Sequence, residues 1–526
     1  MKKLKHLFFI FLTCALQSIT AQTDAEYKYV KHEYQVSENG TITEHHRKEL
    51  TIFTHMAMNN TYGETFIEYD PAYQSIRINE SYTQRPDGSI VQTPQNAFVD
   101  VLPSAASSAP DFNNLREKVV VHTALELGAT IVLDYTITTK PGFGIFALNQ
   151  RLQENSPIKK LDVSIEGLNP NNYAVELYGT IDKELTQQGN KHTATLYDLS
   201  ALSHEKFLPS GGRDEVRLLC APKDKGYISV LFSKESTPEL KQVADSLLQN
   251  ATDTSLTARI NTLIQYVRNR FARTPLTFRN TGERLRPMLN VIRSGYATQA
   301  ERNALLSMLL RSIGIQADVV GVWPSFSSKT LCSTRNVKNW LTRIVLPTNS
   351  AFWNAETGTK VNPNLTADAE RLLTTNGEEI PTQGEPLHVR YSDTLHLQIK
   401  DADKSGYLIC TLPSLSEGAD RWGIGMLPNF RESNFELPSM LDEEDTFFLK
   451  PEPGLTLVGT PKEIKIAKPC GEMSQTSELL SNGMWRITRR LKIYETYYYT
   501  TQYRALRELL TEWVTPSFKT FLFTTH

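Results

Sequence analysis

The stretch "SGYATQAERNALLSMLLRSIGIQADVV", residues 294–320, spells a loop, a helix cap, an amphipathic helix, a glycine stop and a strand. Thr298 and Glu301 form a T-x-x-E capping box, so a helix begins just after Thr298. Leu305, Leu306, Leu309, Leu310 and Ile313 recur at helical spacing, and Gly314 suits the left-handed residue that ends a helix. The first turn of such a helix is where a cysteine becomes a nucleophile, because the positive end of the dipole lowers its pKa. Here that turn holds Gln299, whose amide neither titrates near neutral pH nor attacks carbonyls.

The 526 residues around it are too many for one ordinary domain. Hydrophobic residues make up 40% and charged residues 22%, with a formal net charge of −2. Nothing in that balance points to nucleic acid or to an anionic membrane surface. The first residues, "MKKLKHLFFIFLTCALQSITAQ", combine a basic start, a short apolar core and a small residue before a cut. They read as a secretory signal peptide over 1–21, cleaved near Ala21 and too short to span a bilayer. Cys14 raises a lipid-anchored alternative that Leu12 and Thr13 fit poorly. The mature chain keeps Cys220, Cys332, Cys410 and Cys470. An oxidising compartment permits disulfides, and buried free thiols are the equal alternative.

Residues 22–233 read as a β-sandwich: alternating runs flank Asn39-Gly40 and Asp87-Gly88, and further strands follow at short intervals. "LPSAASSAPDFNNLREK", residues 102–118, reads as a surface loop. Residues 234–370 change to helical spacing in "TPELKQVADSLLQNA" and "SLTARINTLIQYVRNRF", then to short strands, an α+β pattern. Residues 371–526 return to strands, with a hairpin at Asn482-Gly483. One amphipathic helix there places Tyr503, Leu506, Leu510 and Trp513 on one face. The fold class expected is multidomain: β, then α+β, then β-rich.

The central domain resembles transglutaminase-like domains, relatives of papain-like proteases, through Leu309-Leu310-Arg311…Gly314-Ile315 after a short loop. "RINESYTQRPDGSIVQTP" and "LELGATIVLDYTI" are similar to the β-domain of unknown function that precedes such domains in secreted bacterial proteins. The resemblance implies a Cys-His-Asp triad, and its three positions fall on Gln299, near Trp340 in "KNWLTRIV" and near Ala355 in "FWNAET". None of these residues can perform the triad's chemistry. No histidine lies between His204 and His388, so no shift of alignment supplies the missing base.

Two readings of function stand. One is a secreted or periplasmic, catalytically inactive transglutaminase-like protein that binds or scaffolds in the cell envelope. The other is a cysteine-dependent transglutaminase or peptidase-like enzyme using unconventional residues, with Cys332 as the one cysteine of the central domain. Gln299, Trp340, Trp353, Arg286 and Arg293 form the candidate ligand cleft. Seven arginines between Arg268 and Arg293 face a single acid, Glu283. They suggest a basic rim for a protein partner, an acidic glycan or an acidic peptide, or else a solvated surface. No cofactor, metal site, nucleic-acid partner or transmembrane span is expected, and peripheral association with the envelope is left open. His45 and His46 are adjacent on a strand and should face opposite sides.

Overall fold

The computed structural model describes residues 23–179, 185–232, 235–249 and 252–525. The expected signal peptide lies outside the described residues. The chain is multidomain and strand-rich, and among the described residues no helix is long and apolar enough to cross a membrane.

Strands β1 (Ala25–Val36) and β2 (Ile42–Ile52) form the expected hairpin, with Gly40 of the turn at φ +82°. Their pairing shifts register between Tyr27 and Tyr29. That bulge explains why the buried side chains switch parity along β1, from Ala25 and Tyr27 to Val30, His32 and Tyr34. The pair sits inside an eight-stranded sheet, next to Ile158–Glu166 on one side and Thr130–Thr139 on the other. β1 runs parallel to Ile158–Glu166, unlike the other pairings of that sheet. A three-stranded sheet (Leu148–Arg151, Tyr173–Tyr178, Arg217–Pro222) packs over it and contributes Leu218 and Cys220 to the shared core.

The segment expected as a surface loop behaves otherwise. Ala106, Ala109, Phe112 and Leu115 are buried against Leu276 and Tyr296 of the central domain. The reason lies in its own composition: four apolar side chains spaced along short 3-10 turns present one apolar face.

In the central domain, helices α1 (Pro238–Leu248), α2 (Leu256–Arg270) and α3 (Gln299–Ser312) surround one core. Ile228 and Phe232 join that core from before residue 234. The sheet also continues past residue 370, because Glu370–Thr374 pairs with β3 (Ala317–Pro324). β3 is followed by β4 (Asn339–Val345) and β5 (Ser350–Asn354), all antiparallel. The capping box at Thr298 and Glu301 is present, with Glu301 N donating to Thr298 Oγ1 at 3.2 Å and Thr298 N to Glu301 Oε2 at 2.9 Å. α3 is enclosed on every side rather than amphipathic: Arg302, Asn303 and Ser307 are as buried as its leucines. Arg302 is accommodated because its guanidinium donates to the carbonyls of Val267 and Phe271 at the end of α2.

The C-terminal domain holds a five-stranded sheet in which β6 (Leu441–Pro451) lies between Leu387–Leu397 and β7 (Trp485–Ile493). Helix α4 (Thr500–Val514) packs on it through Tyr503, Leu506, Leu509, Leu510 and Trp513. Cys220, Cys332, Cys410 and Cys470 are all free and buried.

Candidate functional site

A cleft of about 450 Å³ opens between the N-terminal and central domains. Its walls come from both. Tyr34, Ile42 and Glu44 belong to β1 and β2, whereas Arg279, Gln299 and Trp340 belong to the central domain. The volume falls within the range of about 300–1,000 Å³ that holds small ligands.

The three positions aligned with the triad lie close together. Gln299 Nε2 donates to Asn339 Oδ1 at 2.6 Å, and Trp340 N donates to Gln299 Oε1 at 3.3 Å. Asn303, one turn further along α3, donates to the Gln299 carbonyl at 2.9 Å and accepts from Thr342 Oγ1 at 3.1 Å and from Ala355 N at 3.4 Å. The amides of Gln299 and Asn303 therefore stitch the start of α3 to β4 and to the turn after β5. Gln299→Ala should cost about 1–2 kcal/mol, because Asn339 Oδ1 and the Trp340 amide lose their partner. Urea melts of wild type and variant check this, and equal stability would show that the stitch contributes nothing.

Trp340 forms the floor of the cleft and is almost fully buried. Phe232, Phe278 and Trp323 surround it with ring centroids 4.7, 5.9 and 5.8 Å away. Phe278 and Trp323 meet it edge-on and Phe232 at a tilt, and packing of this kind fixes a ring firmly. Ala355 is fully buried and does not line the cleft.

Arg286, Arg293 and Trp353 are not among the lining residues. Arg286 serves instead as a clasp between domains. Its guanidinium donates to Glu301 at 2.8 Å and to Asp111 at 2.7 Å, and it lies 4.3 Å from the Tyr296 ring centre and 5.0 Å from that of Phe112. The Glu301 it holds also closes the capping box of α3. Arg293 is exposed near the end of a short helix, Met288–Ser294. Trp353 lies on β5, packed against the central core.

The basic character of the cleft comes from other residues. Lys338 pairs with Glu370 at 2.5 Å and Arg273 with Glu356 at 2.7 Å. Arg116 and Arg284 give donors to backbone carbonyls. Arg335, in the loop before β4, lies 3.1 Å from Glu283, and its Nη1 has no hydrogen-bond partner among the described residues. Burial weakens the hold of Arg335 on its proton, and the Glu283 charge opposes that effect. Burial alone would push the Glu44 carboxyl up, but His46, Arg279 and Arg335 together carry it below its ordinary value. Sequence reasoning missed Glu44 because it reaches the cleft only through the docking of two domains, and Arg335 and Lys338 because the loop that carries them into β4 has no local pattern that sets which way its side chains face.

Among the described residues, the cleft lining contains no cysteine and no histidine. Cys332 is buried away from it, and burial pushes its thiol up to about 11, the reverse of an activated nucleophile. His388 sits on the C-terminal sheet, 3.5 Å from Asp442. His45 and His46 do face opposite sides: His45 pairs with Glu33 and Asp134, and His46 is buried against His32. No group of metal-ligating side chains occurs among the described residues.

Two family models match: a domain of unknown function, DUF3857, over residues 38–199, and another, DUF3858, over residues 413–523. No curated protein matches the chain. A zinc metallopeptidase of the M1 group from Deinococcus radiodurans covers 47% of this chain and 54% of its own at 10% identity, with a TM-score of 0.19, too low to carry an argument. A crystal structure of a "putative protease" from Parabacteroides distasonis is far more similar, with a TM-score of 0.85. At 32% identity over 95% of this chain and 99% of the other, the chain belongs to the same family as that Parabacteroides protein.

Proposed function

We propose that this is a secreted or periplasmic protein with a transglutaminase-like, papain-related central domain, catalytically inactive, that acts as a binding or scaffolding module in the cell envelope. The observation that carries the reading is the amide stitch. Where a nucleophile and its base would meet, Gln299 is hydrogen-bonded to Asn339 and to the Trp340 backbone. The cleft beside it stays open, so the place can hold a ligand without cleaving it. Losing one member of a catalytic unit typically costs several powers of ten in rate, and here all three positions are substituted.

The Parabacteroides relative is described as a protease, which favours a second reading, a peptidase. A cysteine-dependent enzyme would need its nucleophile outside the cleft, and Cys332 is the one cysteine between residues 234 and 370. One experiment separates the two. Native protein should react with iodoacetamide at least tenfold more slowly than urea-unfolded protein, since all four mature cysteines are buried. It should also show no hydrolysis or transamidation of glutamine-containing peptides. Turnover abolished by Cys332→Ala would overturn the inactive reading. N-terminal sequencing of protein isolated from the source cells tests the location, with a start near Gln22 expected and a start at residue 1 opposing it.

A further inference from the structure

We infer that the outer face of a small sheet in the N-terminal domain docks an extended polypeptide segment that presents an apolar side chain between two cations. The sheet pairs Arg116–Val121 with Glu64–Tyr69 on one side and with Phe98–Val101 on the other, both antiparallel. Register and the two-residue period of a strand place Glu64, Phe66 and Glu68 on the same face as Val121, Val119 and Glu117 opposite them. Val99 and Val101 complete that face, across from Val119 and Glu117. The other face turns inward, where Ile67 and Val120 are buried. Of these outer residues only Glu68 also lines the cleft, so the surface stands apart from it.

An apolar row crosses the outer face from Phe66 through Val119 to Val99. Cross-strand packing accounts for Val119, which is buried at the centre of the row. It does not cover its neighbours. Phe66 keeps 56% of its surface exposed, Val99 44% and Val101 38%. Contiguous apolar surface rimmed by polar groups marks a place where another molecule sits.

The rim sets the charge of that molecule. Glu68 and Glu117 stand directly opposite each other, and like charges in that position cost stability. Burial and then the Glu68 charge push the Glu117 carboxyl above its ordinary value. Glu68 Oε2 accepts from Asn280 Nδ2 at 2.8 Å, yet Glu64, Glu68 and Glu117 form no ion pair among the described residues. Along Glu64–Tyr69 the face therefore runs acid, aromatic, acid at steps of about 7 Å, two residues of a strand. An extended segment matches that order when a cation, an apolar residue and a second cation alternate with residues facing away. Its cations would relieve the repulsion between the acids, and its apolar side chain would cover Phe66. The same acids repel an anionic bilayer or a nucleic acid.

The test uses the mature full-length chain and a labelled, end-capped nonapeptide, Lys-Thr-Leu-Thr-Lys-Thr-Leu-Thr-Lys, followed by fluorescence anisotropy. Three controls replace its leucines by serine, replace its lysines by glutamate, or rearrange it so that lysines and leucines fall on opposite faces. The patterned peptide should bind at least fivefold more tightly than each control, and its advantage over the glutamate form should shrink at high salt. Phe66→Ser should weaken it at least fivefold. The double variant Glu64→Gln with Glu117→Gln should weaken it at least threefold while folding normally, because it removes repulsion rather than packing. Equal binding of the rearranged peptide would overturn recognition by this face, as would affinity that survives both variants. Absence of binding up to about 1 mM, the weak limit of a specific contact, would overturn it too. Self-association of the protein that Phe66→Ser abolishes would make a second copy the occupant and overturn the assignment to a cationic segment.

Discussion

Arg489→Ala is expected to destabilise the C-terminal domain by about 3–5 kcal/mol, the usual cost of removing one partner from a buried charge cluster. Arg489 sits on β7 with 1% of its surface exposed. Its guanidinium lies 4.0 Å from the Trp513 ring centre, donates to Gln475 Oε1 at 3.1 Å and to the Trp513 carbonyl, and with Lys519, 3.0 Å from Asp420, supplies the positive charge facing Asp445, Asp420 and Glu443. One substitution would thus remove a stacking partner of α4 and the counter-charge of buried acids at once. Because the chain has several domains, a whole-molecule melt would blur the effect. Hydrogen exchange of the α4 amides isolates it, and the slowest of them should speed up by roughly two to four powers of ten. An unchanged exchange rate there would show that Arg489 is dispensable.

The second large effect depends on pH. Glu443 is fully buried on β6, and burial pushes its carboxyl up to about 7, with Ala419 N donating to it at 2.8 Å. Burial likewise pushes Asp445 up to about 6. A carboxyl whose folded pKa exceeds its unfolded value holds a proton longer in the folded state. Its contribution is fully present below about pH 4 and is lost as pH rises through about 7. Glu443→Gln should therefore be near neutral at pH 5 and stabilising by on the order of 2–3 kcal/mol at pH 8, where the wild type must ionise a buried acid. The comparison must be made between variant and wild type. His32 and His122, both lowered by burial, act in the opposite direction on the whole chain, since each resists protonation as pH falls. A stability difference that is the same at pH 5 and pH 8 would contradict the buried-acid account.

Much of the local structure was legible because its signals are local. Asn39-Gly40, Asp87-Gly88 and Asn482-Gly483 all sit in hairpin turns, with their glycines at φ +82°, +85° and +80°. The capping box of α3, the stop at Gly314 and the buried face of α4 follow from residues at most four positions apart. The segment at 102–118 misled for the converse reason: its apolar residues find their partners in Leu276 and Tyr296, more than 150 positions away. Arg286 was legible as a cation in the right region but not as a clasp, because Asp111 and Phe112 reach it only through that docked segment. Glu44, Glu68 and Arg116 of the cleft lining were hidden in the same way, by depending on which face of the N-terminal domain meets the central one.

A chamber with walls from two separately cored units exists only while those units are docked. Any occupant of the cleft therefore binds the joined arrangement and not the parted one, so its binding free energy adds directly to the docking equilibrium. The Asp111–Arg286 clasp and the hydrogen bond from Asn280 to Glu68 bias that same equilibrium without a ligand. Loading the cleft would thus fuse what would otherwise be separate melting steps of the two units into one, and the protein would report occupancy as a gain in cooperativity.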